Sequence, residues 1–213
     1  MAIKSDREYR DMTMEVRTLE TEEAPDERMI VTGYASTFDQ PYTLFENDDW
    51  RFNEVVDAKA FDKTDMSDVI MQYDHEGRVF ARMSNNTLTV TPDEKGLLIE
   101  ADLGGTELGR QLFEEIRGGY TNKMSFGFTV DGEDILDTKD TDGKALTVRT
   151  ITSVRKLYDV SAVSLPANDA TSISVRSLTD GVIEKIRAER LEAEALELRR
   201  RKLLVRAKLN GGQ

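Results

Sequence analysis

Lys123-Met-Ser-Phe-Gly-Phe-Thr129 alternates large apolar residues with small or polar ones. In an extended chain that alternation sends Met124, Phe126 and Phe128 to one face and Ser125, Gly127 and Thr129 to the other. The first face is a core face, and the second is predicted to stay accessible. Gly127 is predicted to face substrate: without a side chain it leaves room beside Ser125 for another backbone. Three large apolar anchors beneath a hydroxyl make a rigid mount for a nucleophile. The strained G-x-S-x-G elbow of many hydrolases is absent from the chain.

A serine nucleophile needs a base, and the chain has one histidine, His75. It follows the strand-like run Asp68-Val-Ile-Met-Gln-Tyr-Asp74 and precedes Glu76-Gly77-Arg78, so it is predicted at a strand end, facing a cleft. Its neighbours Asp74 and Glu76 would point away from it in extended chain. A more distant acid is needed to orient the ring. The run Leu157-Tyr-Asp-Val-Ser-Ala-Val-Ser-Leu165 carries one acid, Asp159, among apolar and small residues. A carboxylate there requires a partner; His75, Arg155 and Lys156 are the alternatives.

Around these segments the predicted elements are mostly strands. Met12 to Leu19 and Met29 to Ala35 alternate, and Asp39 to Asp49 reads as a loop. Asp57 can cap a short helix over Ala58 to Phe61. Asn86 to Leu103 reads as a hairpin turning at Asp93 to Gly96. Thr106 to Arg117 is a helix, capped by Thr106 and stopped by Gly118-Gly119, with Leu108, Leu112 and Ile116 on one face. Asp131 to Ala145 reads as a polar loop and Ser172 to Arg176 as a last strand. Beyond Gly181 the period becomes helical: Leu191, Ala195, Leu198, Val205 and Leu209 form a seam interrupted by Lys202.

Composition narrows the chemistry. There is no cysteine, which excludes disulfides, thiol nucleophiles and thiolate metal sites. A single histidine excludes an H-E-x-x-H zinc site, and no metal or other cofactor is expected. The net charge of −12 argues against nucleic acid as a partner. The charge is uneven: from Gly181 to Gln213 nine Lys or Arg stand against five Glu, a net of +4, which leaves −16 on residues 1–180. A basic tail on an acidic body suggests that the tail meets an acidic surface. No apolar run has the roughly 20 residues of a membrane span. The polar start, Met1 to Arg10, is unlike a secretory signal, so a cytoplasmic location is expected.

Four segments in order resemble the tailed-phage prohead (capsid-maturation) serine protease family: Gly33-Tyr-Ala-Ser-Thr-Phe38; Tyr73-Asp-His75 with Gly77-Arg78; Met124-Ser-Phe-Gly-Phe128; and Asp159-Val-Ser161 with Leu165-Pro-Ala167. The similarity spans about residues 12–176. It implies a fold like that of the herpesvirus assemblin protease. It also implies cleavage of the scaffold region of the major capsid protein and of the protease itself, inside the prohead within the host cytoplasm. In this resemblance Ser125, His75 and Asp159 are the catalytic residues. Oxyanion donors fall in the loop from Leu165 to Asn168, at Ala167 and Asn168. The chain departs from the pattern in having Asp159 where glutamate is common, and it lacks the second histidine of the herpesvirus enzymes.

The expected architecture is therefore α+β: a mostly antiparallel β-barrel flanked by helices over residues 1–178, and a long C-terminal amphipathic helix over 179–213. That helix could pack on its own barrel, in a homodimer, or on scaffold helices. Two rival functions are a non-enzymatic capsid scaffold or assembly chaperone and a hydrolase of non-protein esters.

Overall fold

The computed structural model describes residues 7–12, 17–18 and 28–164, and residues 186–201 apart from 190, 194 and 198. The chain divides into two compact units, Met1–Ser174 and Val175–Gln213. In the second unit the described residues between 186 and 201 are helical, and Leu191 and Leu196 are exposed. The helix is short rather than long. Leu198, Val205 and Leu209 of the expected seam lie outside the described residues, as does the strand expected at Ser172 to Arg176. Among the described residues no helix is long and apolar enough to cross a membrane.

The described residues of the first unit form eleven strands. In chain order they are β1 (Glu8–Met12), β2 (Arg17–Thr18), β3 (Ile30–Thr37), β4 (Tyr42–Glu46), β5 (Trp50–Val56), β6 (Ile70–Tyr73), β7 (Glu76–Arg82), β8 (Leu88–Pro92), β9 (Gly96–Asp102), β10 (Lys123–Lys139) and β11 (Ala145–Val163). One helix, α1 (Glu107–Arg117), joins β9 to β10. The larger sheet runs β1-β10-β11-β5-β4, with β6 on β11 and β7 on β6; the smaller runs β2-β3-β9-β8. β5 and β6 both join β11 in parallel, at its first and second halves.

This corrects the expected barrel. The structure is mostly β, but its two sheets are open and are not closed into a barrel. The larger sheet is strongly coiled, because side chains of β1 and β5 meet although β10 and β11 lie between them. Arg10 Nε donates to Glu54 Oε1 at 2.5 Å, a reach that a flat sheet with strands about 4.8 Å apart would not allow. Register shifts in β10 between Gly127 and Glu133 supply the bend. Side chains bridge the gap, but no backbone ladder closes it.

The core lies between the sheets. Val31, Leu97, Ile99 and Ala101 from the smaller sheet pack with Met71, Met124, Phe126, Phe128, Val160 and Ala162 from the larger. Thr106 caps α1 by accepting from Gly109 N at 2.9 Å, and Leu112, Phe113 and Ile116 are its buried apolar face. Leu108, predicted inward, is exposed. The stretch after Asp57 is a series of turns, not a helix; Asp57 Oδ1 accepts from Lys59 N at 2.7 Å. Of the strand expected from Met12 to Leu19, Met12 ends β1 and Arg17–Thr18 form β2, in different sheets, and residues 13–16 and 19 lie outside the described residues.

Candidate active site

The alternation of 123–129 places its residues as expected on the buried side: Met124, Phe126 and Phe128 are fully buried in the core. Ser125 faces the other way, toward β11 and the turn between β6 and β7. Across the β10–β11 ladder Ser125 is paired with Ser161, and Gly127 with Asp159. Period-two geometry therefore puts Ser125, Asp159 and Ser161 on one face, on adjacent strands.

His75 reaches that face by a tight turn. Tyr73 pairs with Glu76, and Asp74 and His75 between them have φ of 48° and 59°. Two consecutive left-handed residues form the mirror-image turn that joins twisted strands, a place usually taken by Asn-Gly. Side chains there are strained, and the surroundings hold the turn. Asp74 N donates to Ala162 O at 3.0 Å. The Asp74 carboxylate accepts from Ser164 N at 3.0 Å and from Ser164 Oγ. Asp74 thus ties the turn that carries His75 to the end of β11 and leaves the imidazole to another acid.

That acid is Asp159. His75 Nδ1 is 2.7 Å from Asp159 Oδ1 and 3.2 Å from Oδ2. His75 Nε2 is 2.5 Å from Ser125 Oγ. With Nδ1–H donated to the carboxylate, the lone pair on Nε2 faces the hydroxyl. The structure thus brings Ser125, His75 and Asp159 into one chain of hydrogen bonds. The alternative partners of Asp159 are engaged elsewhere: Arg155 with Asp131, and Lys156 with Asp65. Ala167 and Asn168 lie outside the described residues.

Four residues of the site escaped sequence reasoning. Ser161 Oγ lies 3.3 Å from His75 Nδ1. The other three come from β1 and Arg7, the residue before it. Arg7 Nη2 donates to Asp159 Oδ2. The Tyr9 ring meets the His75 ring edge-on, with centroids 4.4 Å apart. The carbonyl oxygen of Arg10 lies 2.9 Å from Ser125 Oγ and competes with His75 Nε2 for its one hydroxyl proton. The space expected to be open beside Gly127 is therefore filled by the chain itself, and Ser125 is 0% exposed. Burial, together with Asp159 and Glu76, pushes the Tyr9 phenol above its ordinary value against the pull of Arg7, so it stays neutral. The alternation Arg7-Glu-Tyr-Arg-Asp11 was the available signal, but its mixed charge disguised a strand.

The opposite face of β1 enters a buried charged cluster. Arg10 donates to Glu54 and Glu8. Arg149 donates to Glu8 and Glu54 at 2.7 Å each and to Glu133 at 2.6 Å, and Tyr42 donates to Glu54. Burial pushes the Glu54 and Glu8 carboxyls up, but the Arg10 and Arg149 guanidiniums outweigh it and hold both below their ordinary value. Among the described residues no group of three or more His, Asp or Glu is arranged to hold a metal ion.

No curated protein and no solved structure matches the chain. A family model described as caudovirus prohead serine protease matches residues 13–183, a stretch that holds Ser125, His75 and Asp159 and begins just after β1. A hydroxyl, an imidazole and a carboxylate in line is a constellation that serves serine peptidases, and the chain belongs to the caudovirus prohead serine proteases, the peptidases of capsid maturation.

Proposed function

We propose that Ser125 is the nucleophile, His75 the general base and Asp159 the orienting acid of an endopeptidase that cuts the scaffold region of the major capsid protein, and itself, inside the prohead. The observation that carries this reading is the 2.5 Å contact between His75 Nε2 and Ser125 Oγ, with Nδ1 of the same ring 2.7 Å from Asp159. Ser125 Oγ attacks the scissile carbonyl while Nε2 takes its proton. The imidazolium that forms is stabilised by Asp159 and returns the proton to the leaving amine. Water then repeats the sequence on the acyl-enzyme. Oxyanion donors are expected from the stretch holding Ala167 and Asn168. Residues 1–178 carry the peptidase in this reading, and 179–213 form a separate helical appendage. An assembly chaperone would have no use for such a hydrogen-bonded chain. The test is co-expression of capsid protein with the full chain or with Ser125→Ala. The wild type is expected to shorten the capsid protein, and the variant to leave it full-length. Equal processing by a folded Ser125→Ala chain would remove the assignment.

A further inference from the structure

β1 lies against the nucleophile strand, outside the stretch matched to the family, which begins at residue 13. Its ladder with β10 pairs Tyr9 with Gly127, Arg10 with Phe126 and Asp11 with Ser125. One face of β1 covers the site: Arg7 on Asp159, Tyr9 on His75, and the Arg10 carbonyl on Ser125 Oγ. No peptide can reach Ser125 Oγ while this strand is in place. Yet β1 occupies the place a substrate strand would take: its backbone is extended along β10, and its Arg10 carbonyl oxygen lies 2.9 Å from Ser125 Oγ. Extended peptides commonly bind by adding a strand to a sheet edge, and among the described residues β10 pairs with β1 alone on that side.

The attachments of β1 are of a kind that can be exchanged. Its buried side chains, Glu8 and Arg10, are charged and held by ion pairs. Arg7 Nε is buried without a hydrogen-bond partner, so the cover fits imperfectly. Without β1, Glu54 and Glu133 would keep Arg149, and Glu54 would keep the Tyr42 hydroxyl. That remainder carries a net charge of −1 beside the Phe128 ring, over which Arg10 now lies. It is a pocket for a cation, flanked by Arg149 as a partner for one further carboxylate.

We propose that the β10 edge beneath β1 is the substrate-binding site and that β1 is its resident occupant. The substrate is an extended peptide with an acidic residue in the place of Glu8 and a basic residue in the place of Arg10. It replaces β1 strand for strand, and the carbonyl presented to Ser125 is that of the basic residue. This rests on the peptidase reading above. The resident strand lowers the apparent affinity of every competitor by the fraction of time it is in place.

The test uses the full-length Ser125→Ala chain and a synthetic peptide copying residues 5–14, Ser-Asp-Arg-Glu-Tyr-Arg-Asp-Met-Thr-Met. Amide hydrogen exchange is followed as peptide is added to saturation. The amides of Glu8 to Met12 are expected to exchange at least about tenfold faster, while those of Ser125 to Phe128 stay protected by the new strand. The same peptide with Glu in the place of Arg10 is expected to have no effect. Unchanged protection of β1 at millimolar peptide, or loss of protection in β1 and β10 together, overturns the proposal. A second variant, Arg10→Glu in the otherwise wild-type full chain, sets a carboxylate against Glu54 and expels β1. Its kcat/KM on the unmodified peptide is expected to rise at least about tenfold; a folded variant with an unchanged or lower value also overturns it. Should Ser125→Ala fail to alter capsid cleavage, the peptidase assignment falls, and the exchange measurement still decides the binding site.

Discussion

Gly127 sits opposite Asp159 in the β10–β11 ladder, and a Cβ added at 127 would come within 2.9 Å of Asp159 Oδ1, the oxygen nearest His75 Nδ1. It would also come within 2.8 Å of Tyr9 Cε1 and 2.9 Å of Arg7 Nε. The tyrosine and arginine are long and can swing aside. Asp159 is short, fully buried and fixed from two sides. The contact between the Asp159 carboxylate and the His75 ring therefore depends on a missing methyl group on the neighbouring strand.

Gly127→Ala is expected to lower kcat by roughly 10- to 100-fold, since misplacing a catalytic group by about 1 Å can cost that much. The fold should survive, because the clash is local. Cleavage rates on capsid protein, read beside a thermal melt, check this. Wild-type kcat in the alanine variant would mean that Asp159 tolerates displacement.

Asp159→Asn should cost a large factor in kcat, up to the order of the 10⁴ known for loss of the acid in the best-studied triad. It should cost less than His75→Ala, because the hydroxyl–imidazole pair keeps some function without its orienter. Single-turnover rates of the two variants on one substrate make the comparison. Equal activity of Asp159→Asn and wild type would show that the ring is held without this carboxylate.

Activity should rise with pH through an imidazole titration. Nε2 can take the Ser125 proton only when the ring is neutral, and a free imidazole titrates near about 6.5. A kcat/KM profile that is level between about pH 5 and 9 would speak against an imidazole base.

Arg149→Met should lower stability by about 3–5 kcal/mol, because it removes a partner from buried carboxylates without removing the carboxylates. Glu8 would then rely on Arg10, and Glu54 on Arg10 and Tyr42. A shift in the urea midpoint with an unchanged slope is the expected result. A midpoint within error of wild type would show the cluster to be energetically slack.

The same cluster predicts acid sensitivity. Glu8 and Glu54 are held below their ordinary value of 4.5 in the folded chain. The stability they contribute is complete above that value, and it is lost as pH falls through their lower folded values. Denaturant midpoints should be steady near neutrality and drop below about pH 4.5. In Glu54→Gln that acid-dependent part of the drop should shrink.

Much of the site could be read from residue spacing. Ser125 and Asp159 lie on strands with strict alternation and buried anchors, so their shared face follows from period two alone. The hairpin from Leu88 to Asp102 and the helix capped by Thr106 carried their own turn and cap residues. The barrel was misjudged because closure depends on how far a sheet coils, and bulges between Gly127 and Glu133 leave no periodic trace. The loop predicted over Asp131 to Ala145 is instead an extension of β10, with a turn at Asp140 to Lys144. That ribbon is exposed, with Leu136 62% accessible, so its sequence lacks a core face to betray it. β1 was invisible for the reverse reason: its buried residues are ionic, and hydrophobic patterning cannot detect a strand held by charges.

The turn that carries His75 has a consequence for how this enzyme can diverge. Ser125 and Asp159 sit in mid-strand, where a single-residue insertion would reverse every side chain beyond it. His75 sits on a two-residue connection whose left-handed backbone leaves no slack in length. None of the three occupies a loop that tolerates insertion. An insertion or deletion in any of these three places would therefore separate Ser125, His75 and Asp159, which are kept together by counting residues.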